Sequence, residues 1–269
     1  MESALLSIEQ PLRLGVYIGI LSLMGLAEAL WPKRHRALPR LGRWTNNLGI
    51  AALNSALLGL IFPILAVGLA AQQWQAGGGL LAQLDLAFWP AAIIAFLFLD
   101  LMIWAQHLVF HKVPILWRLH RPHHADLDLD VTSGVRFHPL EVILSMAFKL
   151  ALIWLLGPPP EAVLVFEIVL NAGAVFNHAN VALPKPLDRA LRGLIVTPDM
   201  HRVHHSTLRH ETDSNYGFNL SIWDRLFHTY RDQPEAGHNA MTIGLDDKRA
   251  PMETMGLKFL SHPFGSDHQ

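Results

Sequence analysis

Long apolar runs dominate this chain and restrict it to very few folds. A helix crossing the hydrocarbon core of a bilayer needs about 20 predominantly apolar residues. Residues 12–31, 48–71 and 86–105 each meet that requirement. Residues 140–156 and 162–176 are shorter candidates, separated by Gly157-Pro158-Pro159-Pro160. Pro63 inside the second run predicts a kink there. Charged residues make up 16% of the 269 residues, against about 25% in ordinary soluble domains. The expected fold is an all-α integral membrane protein with four to five transmembrane or membrane-dipping helices. Five buried core helices of a soluble protein are the competing reading.

Basic residues orient such a bundle, because cytoplasmic loops carry the excess of Lys and Arg. Lys33, Arg34, Arg36, Arg40 and Arg43 lie between the first two runs, whereas residues 72–85 contain neither type. The Gly-Pro-Pro-Pro turn also has none, and ten lie from Lys185 onward. This predicts an outside N-terminus, a cytosolic 33–43 loop and a cytosolic C-terminal part. Met1–Pro11 carries acidic rather than basic residues, so no secretory signal stands out.

We expect one membrane domain spanning 1–269, with a histidine-rich helical cap from residues 107–137 and 177–230 and a loose polar tail at 234–269. Lys149 and Glu167 stand almost symmetrically about the 157–160 turn. An antiparallel hairpin would set them at similar depth, where charges are costly and usually paired; two snorkelling side chains are the alternative. Residues 186–196 are amphipathic, which suits either the membrane interface or a plain surface helix.

Nine histidines carry the chemistry. His107 and His111 form HLVFH at the end of the third run; His120, His123 and His124 form HRPHH. His178 stands after the fifth run, and His201, His204 and His205 form HRVHH, repeating the second spacing. Residues three and four apart share one helical face, so each box can aim its rings together. Thr197 and Pro198 form a good helix start before the last box. The predicted topology puts every box on the cytosolic side. Nine imidazoles exceed what one ion uses, which suggests two metals. His35, His210, His238, His262 and His268 have no such pattern and read as ordinary histidines.

Bound histidines usually give their second ring N–H to a carboxylate, carbonyl or water. Asp100, seven residues before His107, is a candidate for that role; pairing with Arg118 or Arg121 is its alternative. Glu167, Asn171, Ala174 and His178 form a stripe at four, three and four spacing, aimed at the metal face. An all-imidazole set suits Fe, Zn, Cu or Ni alike. The absence of cysteine excludes disulfides, thiolate zinc sites and iron–sulfur clusters. Balanced charge, 21 basic against 22 acidic residues, gives no basic excess for nucleic acid.

HxxxH, a nearby HxxHH and a distal HxxHH resemble the fatty acid hydroxylase/sterol desaturase superfamily of membrane di-iron oxygenases. VRFHPLE at 135–141, NHANVALP at 177–184, TPDMHRVHHS at 197–206 and DSNYGFNLSIWDRLFHTY at 213–230 agree with it. The resemblance implies that all nine histidines are ligands of two Fe ions, with Zn possible in isolated protein. Some members carry one more histidine where this chain has Ala174, which leaves an open position near Asn177 or Asn180. His138 is assigned to lining or structure, Asn215–Gly217 to shaping the cap, and Asp224 and Arg225 to structure.

The implied reaction is hydroxylation or desaturation of a fatty acyl, sphingolipid or sterol-like lipid, using O2. Electrons would come from a separate protein, ferredoxin- or cytochrome b5-like with its reductase. The implied location is a bacterial inner membrane with the site facing the cytoplasm. Ether-lipid cleavage and carotenoid hydroxylation are alternatives within the superfamily. A membrane metal-binding or transport protein is the alternative of another class, and a silent relative lacking one ligand is a third.

Overall fold

The computed structural model describes residues 2–250 and 254–265. Among the described residues, five helices are long and apolar enough to span a membrane. The first, α1, is Glu2–Leu30. The second run begins as α2, Arg40–Ile61, and resumes as α3, Ala66–Gln75. Pro63 therefore breaks this span instead of bending it, because proline has no N–H to continue the helical ladder. A single turn, α4 (Leu80–Gln83), precedes α5 (Phe88–Lys112). α5 outlasts the apolar run and carries His107 and His111 on its last turns. The hairpin partners are α7, Pro139–Leu156, and α8, Pro160–His178.

Local chemistry explains the hairpin's limits. The His138 side chain accepts from Leu140 N at 3.2 Å, and Pro139 takes the first helical position, where no N–H is needed. Gly157 ends α7 with φ +62°, the left-handed cap that glycine adopts without strain. It also lies against the backbone of Gly78 and Gly79, so a side chain there would have no room.

α8 is the central helix, packed against α1, α3 and α5. Val163, Leu164 and Phe166 meet Ala66, Val67 and Ala70 of α3, Leu99 and Ile103 of α5, and Leu152 and Ile153 of α7. Small residues on α3 let the backbones approach, as membrane helix packing requires. The outward faces stay apolar: Leu60, Trp89, Ile93, Trp154 and Val165 are exposed. An apolar exterior on long helices is what lipid covers. Lys149 and Glu167 do pair, Nζ to Oε1 at 2.7 Å, and Arg13 of α1 adds a contact to Oε2 at 2.8 Å.

At one end of the bundle the chain builds a cap from α6 (Pro114–His124), a 3-10 turn at Ser133–Val135, α9 (Lys185–Leu191) and α10 (Pro198–His204). Thr197 caps α10 as its sequence predicts, accepting from Met200 N at 3.4 Å. Arg43 of α2 is buried and holds the cap loop through both oxygens of Asp126, at 3.1 and 2.8 Å, and through Asp130. Glu28 of α1 accepts from Val131 N at 2.9 Å and Asn180 N at 2.6 Å. The basic 33–43 segment therefore sits at the same end as the histidines.

Two expectations change. The amphipathic segment forms a helix only to Leu191, and it buries two of its three charges: Asp188 and Arg192 are buried and paired at 2.5 Å, while Arg189, Leu187 and Leu194 are exposed. The segment after Pro234 is also not loose where it is described. Phe259 is fully buried under the Arg136 guanidinium, and Arg118 donates to the carbonyls of Pro263 and Gly265. Cation–π stacking and satisfied carbonyls hold a segment that hydropathy alone marks as polar.

Candidate metal centre

Four elements deliver the nine histidines to one place. α5 ends with His107 and His111, four apart on one face; α6 brings His120, His123 and His124; α8 ends on His178; α10 and its cap bring His201, His204 and His205. All nine are buried. Their ring nitrogens form two groups: His107, His111, His120, His124 and His204 in one, and His123, His178, His201 and His205 in the other. Within each group, one nitrogen per residue lies within 4.8 Å of all the others.

The repeated box explains the division. In HRPHH the i,i+4 pair His120 and His124 enters the first group and His123 the second. In HRVHH the assignment is reversed: His201 and His205 enter the second and His204 the first. Each box therefore contributes to both groups, which share a wall where His124 stacks on His205 at 4.4 Å.

Two ring nitrogens facing each other are unfavourable unless a proton or a cation lies between them. Here Nε2 atoms approach at 3.2 Å for His107–His120, 3.2 Å for His123–His178, 3.0 Å for His178–His201 and 3.2 Å for His201–His205. Four rings have an acceptor at Nδ1 that takes the proton away from Nε2. Nδ1 of His107 donates to the Tyr216 carbonyl at 2.8 Å, that of His178 to Ala174 O at 2.8 Å, and that of His204 to Ser214 O at 2.7 Å. His120 Nδ1 meets Glu141 Oε1 at 2.6 Å. In these four rings the Nε2 lone pair therefore points inward, whereas Nδ1 of His123, His201 and His205 is buried without a partner among the described residues. With metal–nitrogen bonds of about 2.0–2.1 Å, neighbouring ligands at right angles stand roughly 3 Å apart, which matches these spacings. Nε2 of His111, His124 and His204 is buried with no protein partner. The donor set fits metal ions.

Protonation agrees with this geometry. Burial, reinforced by neighbouring imidazoles, drives His123, His124, His201, His204 and His205 well below the ordinary histidine value. Burial alone takes His120 down to about 3. Neutral imidazole is the ligand form.

A cavity of about 700 Å³ opens beside the first group. His107, His120, Phe110, Phe137, Glu141 and Ala174 line its inner end, and Leu14, Leu58, Met146 and Leu170 are among its apolar walls. Residues of both α1 and α2 line it, the first helix packed on α8 and the second on α7. Gly134 seats the 3-10 turn against this end: a Cβ there would lie 2.3 Å from Ala174 O.

The other expected residues fall into different places. Asp100 does not reach a histidine. Seven residues along a straight helix is roughly 10 Å, and its carboxylate instead accepts from Asn219 Nδ2 at 2.9 Å, Trp223 Nε1 at 2.8 Å and Leu220 N at 3.2 Å. Nor does Asn180 line the centre; its amide exchanges bonds with the Arg34 backbone at 3.0 and 2.8 Å. Asn177 donates to Phe218 O at 2.5 Å. Asn171 faces the cavity. His138 caps α7, with Nε2 3.1 Å from Leu260 O. Asn215 ties Met200 O to Arg231 O, and Asp224 gathers Tyr216 N, Gly217 N and Trp104 Nε1. His35 and His210 are exposed, His238 and His262 are buried outside the centre, and His268 lies outside the described residues.

Sequence reasoning missed Glu141. Its signals were its place at the end of the VRFHPLE stretch and an acid in the first turn of a helix entering the membrane beside a histidine-rich segment. The carbonyls of Ala174, Ser214 and Tyr216 left no signal, because any residue type supplies a carbonyl.

A family model for fatty acid hydroxylases matches residues 92–229, just over half of the chain. The chain belongs to the fatty acid hydroxylase family. The matched region contains all nine histidines and Glu141. Among relatives, ornithine lipid hydroxylase OlsE of Rhizobium tropici is 28% identical over 249 residues, covering 87% of this chain and 71% of the relative. Human alkylglycerol monooxygenase is 29% identical over 170 residues, with 61% of this chain and 35% of the relative covered. Rat cholesterol 25-hydroxylase is 27% identical over 146 residues, 54% of this chain and 48% of the relative. The chain thus spans about a third of the human relative's length. No solved structure matches the chain. Membership makes the chain an oxidoreductase, a membrane lipid oxygenase.

Proposed function

We propose that this chain hydroxylates an aliphatic lipid drawn from the bilayer, using two iron ions held by the nine histidines. The five-histidine group holds one ion and the four-histidine group the other. The observation that carries this reading is two adjoining groups of buried, converging imidazole nitrogens, the first at the end of an apolar cavity. Bound there, two irons supply reductive activation of O2 and insertion of one oxygen atom into a C–H bond.

The chain's own part is orientation and exclusion. The Ala174, Ser214 and Tyr216 carbonyls and Glu141 each hold one ring by its Nδ1–H, which keeps Nε2 aimed inward. Phe110, Phe137 and Phe218 enclose the cavity's inner end, where excluding water protects the reacting carbon. The aliphatic chain enters between α1 and α2 and lies along Leu14, Leu58, Met146 and Leu170.

Two electrons per turnover come from a separate electron-transfer protein of the ferredoxin or cytochrome b5 type. The basic 33–43 loop shares the histidine end, which supports a site facing the cytoplasm of a bacterial inner membrane. Hydroxylation is preferred to desaturation because the similar relatives are hydroxylases and monooxygenases. Metal analysis of protein purified from iron-replete cells tests the proposal: about two irons per chain are expected, and the His204→Ala variant should fall well short. A wild-type chain with less than one metal would overturn it.

A further inference from the structure

The cavity does not end in hydrocarbon. Away from the histidines it is lined by Gln10, Arg13 and Tyr17 of α1, Lys149 of α7, and Glu167 and Asn171 of α8. Lys149 stands eight residues beyond Glu141 on α7, and Glu167 seven before Ala174 on α8, so this end lies roughly 10–12 Å from the histidine level. Charges at such a depth are rare and mark function more often than structure.

The cluster is unbalanced in hydrogen-bonding capacity. Among the described residues Glu167 is its only carboxylate lining the cavity: Oε1 accepts a hydrogen bond from Lys149 Nζ at 2.7 Å, and Oε2 is in ion-pair contact with Arg13 Nη1 at 2.8 Å without hydrogen-bond geometry. Glu9 Oε1 takes a second contact from the same Nη1 at 2.9 Å. An ammonium has three N–H donors and a guanidinium five. Among the described residues Lys149 spends one, while Nε and Nη2 of Arg13 spend none. One turn along α1, the Tyr17 hydroxyl is buried without a hydrogen-bond partner among the described residues. If the cluster served only to lock α1, α7 and α8 together, matched donors and acceptors would suffice. A surplus of donors facing an apolar cavity calls for a group that only accepts.

The geometry points to an oxyanion subsite: Arg13, Tyr17 and Lys149 bind the carboxylate or phosphate of the lipid whose chain reaches the histidines. This rests on the proposed lipid hydroxylation and adds the substrate's polar group to it. Glu167 already holds Lys149 and Arg13 in place, so little ordering of these two side chains is needed on binding. The subsite sets the distance between the substrate's anionic group and the carbon presented for reaction.

The test is displacement of tritiated palmitate from the full chain in detergent by unlabelled palmitate, hexadecyl phosphate and hexadecanol. Charge-assisted hydrogen bonds separate the anions from the alcohol by about tenfold or more in wild type. The carboxylate and phosphate arms show which anion fits. In Lys149→Met the advantage should shrink to within about twofold, since one charge-assisted partner is lost, and Lys149→Arg should retain it. Tyr17→Phe leaves every ion pair intact and should weaken palmitate several-fold while sparing hexadecanol. Hexadecanol competing as well as palmitate against wild type would overturn the inference without any variant. An unchanged ratio in both Lys149→Met and Tyr17→Phe would overturn it as well. Metal content of the same preparations separates the two readings. Full metal with no anion preference removes the subsite alone; anion preference without metal removes the oxygenase chemistry alone.

Discussion

Glu141 offers the sharpest test of how the centre is built. Its carboxylate is buried and meets His120 Nδ1 at 2.6 Å, while His120 Nε2 faces His107 Nε2 at 3.2 Å. The carboxylate therefore fixes the tautomer: with the proton on Nδ1, the lone pair of Nε2 points inward. Replacing Glu141 by Leu leaves Nδ1–H buried without an acceptor, and the ring regains its freedom to rotate or to place the proton on Nε2. Loss of such a partner typically weakens metal binding by 10–100-fold, or about 1.4–2.7 kcal/mol at 1.36 kcal/mol per tenfold. Glu141→Gln should lose less, because an amide oxygen still accepts from Nδ1–H. The assay is Fe(II) or Zn(II) titration of metal-free protein against a chelator of known affinity. One site per chain, the five-histidine one, should weaken, and the other should keep its affinity because His123, His178, His201 and His205 do not touch Glu141. Equal affinities in Glu141→Leu and wild type would refute the orienting role. Equal weakening of both sites would show instead that the substitution disturbs the whole cap.

Two further outcomes follow from buried charge outside the centre. Arg43→Met leaves Asp126 and Asp130 buried with their main cation gone. Breaking such a pair from one side costs about 3–5 kcal/mol, so thermal unfolding in detergent should drop by roughly 10 °C, at about 2–4 °C per kcal/mol. A shift below about 2 °C would show that Arg136 and Ser133 alone hold Asp126. His262 is buried with both ring nitrogens unpartnered among the described residues, and burial, then Arg121 and Arg136, lowers its value from 6.5 to about 4. A depressed histidine stays neutral in the fold while the unfolded chain takes up its proton. Its contribution is thus fully present above 6.5 and lost as pH falls toward 4, at up to about 1.4 kcal/mol per pH unit. His262→Gln should flatten the acid limb of the stability profile by up to about 3 kcal/mol in total; an unchanged slope would show that His262 titrates normally.

The membrane spans were legible because lipid imposes a length and a polarity that no other environment imposes. The helix start at Thr197-Pro198 was equally plain, since cap chemistry is local. Lys149 and Glu167 could be paired from their symmetry about the 157–160 turn, but Arg13 could not: nothing in the sequence says that α1 packs on α8. The same limit explains Asp100. Spacing placed it on the correct face of α5, yet the loop that folds over it, residues 219–223, lies more than a hundred positions away. Hydropathy misjudged the segment after Pro234, because Phe259 is held by a buried arginine and not by an apolar patch. The nine histidines were found by pattern; their division into five and four was not, since it depends on how α6 and α10 face each other.

That division gives the repeated HxxHH box a physical meaning. An i,i+4 pair on one short helix can serve a single ion, and the intervening i+3 ring points to one side of that pair. Two such helices facing each other, with the assignments exchanged, provide two rings and one ring to each group: His120, His124 and His204 for the first, His201, His205 and His123 for the second. α5 then completes the first group with His107 and His111, while α8 adds only His178 to the second. The centre is asymmetric because of what the membrane helices add. The group with five rings borders the cavity through His107 and His120, and the group with four does not touch it. Ala174, one turn before His178, lines that cavity, and its small side chain leaves space at the inner end. Under the proposed lipid hydroxylation the substrate's reacting carbon is placed there, between Ala174, Phe137 and the His107–His120 pair.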